Sequence, residues 1–151
     1  MNTAQITQIL QADPHTRDVF VGVYPRDHLP HSVKNYPSAY VCNTALHTDE
    51  GEHWVVIFVD RNGQGEYFDS FGLPPLYMRF VNFLDTQCTS WTFNEIQLQG
   101  LTSTMCGHHC VFYLLHRCRD IPMSRIVHMF GSDVRDNDVL VDDFLVKYTL
   151  V

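Results

Sequence analysis

Apolar residues recur at helical and strand periods along this chain of 151 residues, and the periods divide it into elements. Across Thr3–Ala12, Ile6, Ile9 and Leu10 share one helical face, with Thr3 as the expected cap and Asp13-Pro14 as the stop. Phe20–Pro25 reads as a short extended segment, and Pro25, Pro30 and Pro37 mark residues 26–37 as a surface loop. Residues 38–44 predict a strand. Residues 53–60 are almost wholly apolar, as in a strand buried on both faces, and Asn62-Gly63 turns the chain into a partner at 66–70. Residues 76–86 place Leu76, Phe80, Phe83 and Leu84 on one helical face, whereas 91–98 alternates large and polar residues like a half-buried strand. A helix is expected over about 106–118, stopped before Pro122, then a short one at 124–130 ending at Gly131. Leu140, Phe144, Leu145 and Tyr148 give 137–148 a helical face. The pattern predicts one α+β domain over 1–151, an antiparallel or mixed sheet packed by helices, without repeats or linkers.

Composition narrows the class. A hydrophobic share of 45% with 18% charged residues suits a globular domain. The formal net charge of −7 argues against tight, sequence-independent DNA binding. Residues 1–5 carry no basic, apolar leader, and no apolar run approaches a bilayer span, so neither a signal peptide nor a membrane partner is expected. Five cysteines, at 42, 88, 106, 110 and 118, make an odd count without scaffold spacing, which points to an intracellular reducing compartment and at least one free thiol.

The chemistry centres on Cys106. The stretch from Gln99 to Cys110 reads as a loop delivering that cysteine onto the first turn of a buried helix, where unpaired N–H groups stabilise a thiolate. Cys110 lies a full turn deeper, where burial raises a thiol pKa, so Cys106 is the candidate nucleophile. Such a thiol needs a base and an oxyanion donor. His53, at the mouth of the apolar strand beside Trp54, is the candidate base, and Asp69, at the end of the partner strand, the candidate orienting acid. Register sets a condition. A five-residue loop pairing Phe58 with Gln64 puts His53 opposite Asp69. A tight two-residue turn puts His53 opposite Gly72 and sends Asp69 to the other face. The pairing therefore requires a wider turn, or a bulge near Gly63 and Gly65. Gln99 supplies a side-chain amide that, with the Cys106 N–H, can donate to an oxyanion.

Gly51-Glu52-His53-Trp54, Tyr67-Phe68-Asp69-Ser70-Phe71-Gly72, Gln99-Gly100, Ser103 and Cys106-Gly107 together resemble the adenovirus-type (adenain-like) cysteine endopeptidases, which share a superfamily with the proteases of ubiquitin-like proteins. Phe20-Val21-Gly22-Val23-Tyr24 and Asn43-Thr44 add to the likeness, which spans roughly residues 5–120. Cys106 follows Gln99 by seven positions, the adenoviral spacing. Asp69 stands where adenoviral enzymes often carry Glu, and the chain is shorter at its C-terminal end, which fits a viral or virus-like transposon enzyme lacking some accessory surface. The resemblance implies a papain-like fold with a Cys106–His53–Asp69 triad and an oxyanion hole of Gln99 and the Cys106 N–H. It also implies a substrate groove including Trp54 and Gly51, and cleavage after glycine in capsid or core precursors. Some members are activated by a peptide through a cysteine, for which Cys88 has the right spacing, and by DNA, which the charge disfavours here. For a viral protein the implied setting is host nucleus and virion.

Rival readings exist. Processing of SUMO-like or ubiquitin-like proteins is favoured by Asp69-Ser70 and opposed by the Gln99 spacing, and an inactive binding module is opposed by the intact His, Asp, Gln and Cys set. A zinc site at Cys106, His108, His109 and Cys110 is disfavoured because residues 108 and 109 diverge on a helix, so neither a metal nor any required cofactor is expected.

Overall fold

The strand Trp54–Val59 (β3) alternates between two separate cores, which is why almost no polar residue interrupts it. Val56 and Phe58 point into one, Val55, Ile57 and Val59 into the other. The computed structural model describes residues 1–150 and orders the elements as α1 (Thr3–Ala12), β1 (Phe20–Pro25), a 3₁₀ turn (Arg26–His28), β2 (Ser38–Asn43), β3, β4 (Gln64–Phe68), α2 (Met78–Gln87), β5 (Ser90–Phe93), α3 (Cys106–Arg117), α4 (Met123–Val127) and α5 (Val134–Thr149). The five strands form a mixed sheet in chain order. β1 runs parallel to β2, β3 is antiparallel to both β2 and β4, and β5 is parallel to β4. α1, α3, α4 and α5 contribute to the core on one face, and α2 to the core on the other. This is the α+β architecture that the apolar pattern predicts, with the sheet mixed.

α3 lies inside the larger core. Eight of its twelve residues are buried, because β3 packs on one side and α1 and α5 on others. Glu66 on β4 ties it down further, accepting from Arg117 Nε at 3.1 Å and from the Tyr113 hydroxyl.

Local departures from the sequence expectation have simple causes. Asn2, not Thr3, caps α1. Its side chain accepts from the Gln5 N–H at 2.9 Å while the Gln5 side chain accepts from the Asn2 N–H, a reciprocal capping box. Leu76 precedes α2 and is exposed, since the helix starts only at Met78, after the Pro74-Pro75 segment. β5 ends at Phe93. Glu95 then adopts a positive φ of 57° and Ile96 is exposed, so the apparent alternation over 91–98 does not continue a strand. α5 begins at Val134, capped by the Asp133 side chain.

Asp13 ends α1 as expected, and its carboxylate also joins three helices. It accepts from Arg119 Nη2 at 2.7 Å and Thr16 Oγ1 at 2.6 Å, and from the Tyr148 hydroxyl on α5. Burial alone raises this carboxyl, but the hydrogen bonds from Arg119, Thr16 and Tyr148 outweigh it and hold the pKa at about 2. A depressed native pKa stabilises the fold above the unfolded value near 4, and that contribution disappears as pH falls toward 2. Asp13→Asn should therefore lower unfolding free energy by about 2 kcal/mol at pH 7, with the gap closing between pH 4 and 2 in urea titrations. A gap constant over that range would contradict this account.

Candidate active site

Cys106 opens α3 and His53 immediately precedes β3, so packing α3 across β3 brings the two together. The hairpin supplies the third member. Val59 pairs with Gly65, Phe58 with Glu66, Ile57 with Tyr67 and Val56 with Phe68. Asp60 N–H donates to the Gln64 carbonyl at 2.9 Å, leaving a three-residue loop, 61–63, in which Gly63 takes φ 77°. This register lies between the two considered from sequence. Extended past the strand ends, it sets His53 opposite Phe71 rather than Asp69 or Gly72. Indeed the two rings stack, centroids 4.3 Å apart and planes 10° from parallel. Asp69, two residues before Phe71, keeps the required parity and reaches His53 diagonally. The His53 Nε2 to Asp69 Oδ1 distance is 2.7 Å, leaving Nδ1 for the thiol.

Asp69 is fixed by its backbone as well. Buried Asn94 accepts from the Asp69 N–H at 3.0 Å and donates to the Asp69 carbonyl at 2.7 Å, while Asp69 Oδ1 accepts from the Phe71 N–H at 2.8 Å. Gly72 then turns with φ 75°. A Cβ there would lie 2.6 Å from the Gln97 nitrogen, so only glycine lets the two segments approach this closely. The Ser70 carbonyl accepts from the Leu98 and Gln99 N–H groups at 2.8 and 2.9 Å, which draws Gln99 alongside the acid.

Electrostatics favour an ion pair at Cys106 and His53. Burial pulls the imidazole pKa down, but Asp69 and the Cys106 sulfur outweigh it and raise it to about 9. Burial pushes the thiol up, and hydrogen bonds from His53, the Trp54 backbone and the Gly107 backbone bring it below its ordinary value. Cys88 and Cys118 are pushed up to about 11, mainly by burial, and Cys42 and Cys110 upward as well.

Gln99 is fully buried, and both ends of its amide are engaged. Oε1 accepts from the Ser70 hydroxyl, and Nε2 donates to the Ser103 carbonyl at 2.9 Å and to Ser103 Oγ at 3.3 Å. Its donors thus face the loop leading to Cys106. Trp54 packs against the start of α3, where a Cβ on Gly107 would lie 3.1 Å from Trp54 Cδ1. Its indole N–H donates to the Met1 carbonyl at 3.2 Å. Gly51, Trp54, Phe71, Leu101, His53 and Cys106 all line one groove. The loop before His53 is held by Asn43, whose Oδ1 accepts from the Ala45 and Glu52 N–H groups at 2.9 and 3.0 Å. Cys88 caps the far end of α2 against Gly65, away from this groove. The residues weighed as zinc ligands part company, with Cys106 at His53, His109 at Asp138 and Cys110 in the core. Among the described residues, the ligand-type atoms that do converge belong to exposed Asp27, His28 and His47, outside the groove.

Asn94, Ser70 and Phe71 surround the candidate triad without having been assigned a place in it from the sequence. Ser70 and Phe71 lie inside the quoted Asp69 motif, whereas nothing in the chain around Asn94 marks it before the fold is known.

No protein-family model matches the chain. It is similar to the SUMO-1 cysteine protease S273R of African swine fever virus, isolate Tick/South Africa/Pretoriuskop Pr4/1996, with 28% identity over 110 residues, 66% of this chain and 39% of the relative. The cysteine protease S273R of strain Badajoz 1971 Vero-adapted matches with the same identity and coverage, 28% and 66% of this chain. The chain thus spans 39% of the length of these curated relatives. The crystal structure of the African swine fever virus pS273R protease superposes with a TM-score of 0.52 and 24% identity, covering 70% of this chain and 41% of that one, a likeness of fold.

The opposed pKa directions make a labelling experiment informative. Iodoacetamide at pH 7 should modify Cys106 selectively, and the label should vanish in Cys106→Ala. His53→Ala removes the group that lowers the thiol, so the rate at pH 6–7 should fall by at least about tenfold and recover at alkaline pH. Equal labelling of all five cysteines would contradict these electrostatics.

Proposed function

We propose that this chain is a cysteine endopeptidase that cleaves after glycine in Gly-containing motifs of viral capsid or core precursor proteins. The alignment of Cys106, His53 and Asp69, with His53 Nε2 2.7 Å from the acid, is the observation that carries the reading. In this mechanism His53 accepts the Cys106 proton while Asp69 holds the ring in orientation. The sulfur attacks the glycine carbonyl carbon, and the resulting oxyanion receives hydrogen bonds from the Cys106 N–H and Gln99. The carbon–nitrogen bond then breaks, the amine leaves with the proton held by His53, and water hydrolyses the thioester. A groove lined by Trp54 and Gly51 suits a residue without a side chain. Similarity to viral cysteine proteases supports the reaction class. A peptide activator acting through Cys88 remains part of this proposal, as does a reducing intracellular setting; no strong DNA requirement is expected at a net charge of −7.

A second reading, processing of SUMO-like or ubiquitin-like proteins, draws on the similarity to a SUMO-1 cysteine protease. Labelling of Cys106 by a ubiquitin-like vinyl-sulfone probe would favour it.

Cleavage of a mixed internal-peptide library, read by mass spectrometry, tests the main reading. Wild-type protein should cut after glycine in mid-chain, and Cys106→Ala should not cut at all. Gln99→Ala should reduce turnover ~100- to 1,000-fold, the cost of one oxyanion donor. Wild-type rates in Cys106→Ala would overturn the mechanism.

A further inference from the structure

A chain of part-buried polar contacts runs from the buried Gln99 amide away from the nucleophile to α5. Ser103 Oγ donates to Asp138 Oδ2 at 2.6 Å, and His109 Nε2 donates to Asp138 Oδ1 at 2.9 Å. His109 is fully buried on α3, one turn beyond Cys106, and its Nδ1 has no partner among the described residues. A proton on Nδ1 would be a buried, unpaired donor, so the neutral ring carries its proton on Nε2 and must donate to Asp138. Burial lowers the His109 pKa against the opposing pull of Asp138, in keeping with a neutral ring.

The consequence reaches Gln99 through hydrogen-bond polarity. A carboxylate only accepts, so Asp138 fixes the Ser103 hydroxyl proton upon itself. The lone pairs of Ser103 Oγ are then directed at the Met105 N–H, 3.2 Å away, and at Gln99 Nε2. The Ser103 carbonyl beside it is also an acceptor. Everything Ser103 presents to Gln99 is therefore an acceptor, and a flipped amide would set oxygen against oxygen.

We infer that Asp138 is a positioning residue for the Gln99 amide, acting through the Ser103 hydroxyl and anchored by His109. This rests on the oxyanion role proposed above. The network keeps the N–H side of Gln99 toward the loop that ends in Cys106. The longer contact, to Ser103 Oγ at 3.3 Å, is the one an oxyanion would displace.

Asp138→Asn is the informative variant. It keeps the side-chain size and an acceptor for His109, but its NH₂ group can donate to Ser103 Oγ and release the serine proton toward Gln99. Wild type, D138N and S103A are compared on three probes: a fluorogenic peptidyl-Gly-Gly-coumarylamide, a peptidyl-glycinal aldehyde, and iodoacetamide. The aldehyde adds the Cys106 sulfur to its carbonyl carbon and leaves an oxygen at the oxyanion position, whereas alkylation forms no such oxygen. Both variants should lose about tenfold in kcat with KM within about twofold, weaken aldehyde binding by a similar factor, and alkylate within about twofold of wild type. Unchanged turnover in D138N beside an active wild type overturns this inference alone. A parallel loss on all three probes shows a merely structural role and also overturns it. A wild type inert to aldehyde and iodoacetamide overturns the protease reading and this inference with it.

Discussion

Packing α3 against β3 is the constraint on which the rest of the site depends. A thiol becomes a nucleophile near neutral pH only where its anion is stabilised, and the first turn of a helix offers unpaired N–H groups without any further side chain. That advantage fades within one turn, as Cys110 illustrates: it sits on the same helix, but burial pushes its thiol upward. The same burial that pushes the Cys110 thiol upward packs α3 firmly enough to hold Cys106 against His53. Because α3 and β3 start at the same end of the sheet, helix and strand each need to contribute only their first positions. The core beneath is then free to be apolar.

The acid side follows a different logic, since it is assembled from chain segments that leave the sheet. β4 ends at Phe68, and Asp69, Ser70 and Phe71 continue as a bend. The bend is stabilised by Asn94 on Asp69 and by the Ser70 carbonyl on Leu98 and Gln99. One short segment thus places both the carboxylate that contacts His53 and the hydroxyl that holds the Gln99 oxygen. Phe71 closes the arrangement by stacking on the imidazole, which limits ring rotation and shields the 2.7 Å contact from water. Displacing this bend would disturb both sides of the site together.

Much of this was legible in the chain because it depends on local chemistry. The apolar run of β3, the helix from Cys106 and the turn at Asn62-Gly63 all follow from periods and turn residues. The register itself was not legible. A three-residue loop with Gly63 in the left-handed region pairs His53 with Phe71, and two or five residues were equally compatible with the residue types. The strand expected over 91–98 stops at Phe93 for a related reason: alternation continues in the residue types after Glu95 has taken a positive φ. Asn2 displaced Thr3 as the cap because a reciprocal pair with Gln5 satisfies two N–H groups, where a lone threonine would satisfy one.

Contacts between residues far apart in sequence were the least visible, and they set the hydrogen-bond polarity around the candidate site. Asn94 lies 25 positions from Asp69, and Asp138 lies 35 from Ser103. Neither position carries a motif, because an asparagine in a loop or an aspartate on a helix is ordinary until something acceptor-poor or donor-poor faces it. The relevant property is hydrogen-bond polarity, which passes from one group to the next. A neutral buried His109 must donate, Asp138 can only accept, and Ser103 is left with lone pairs on its other side. Residue type at each step matters less than the direction imposed by its neighbour. A substitution that preserves size while reversing that direction therefore perturbs the far end of the chain of contacts more than one that simply shortens an exposed side chain.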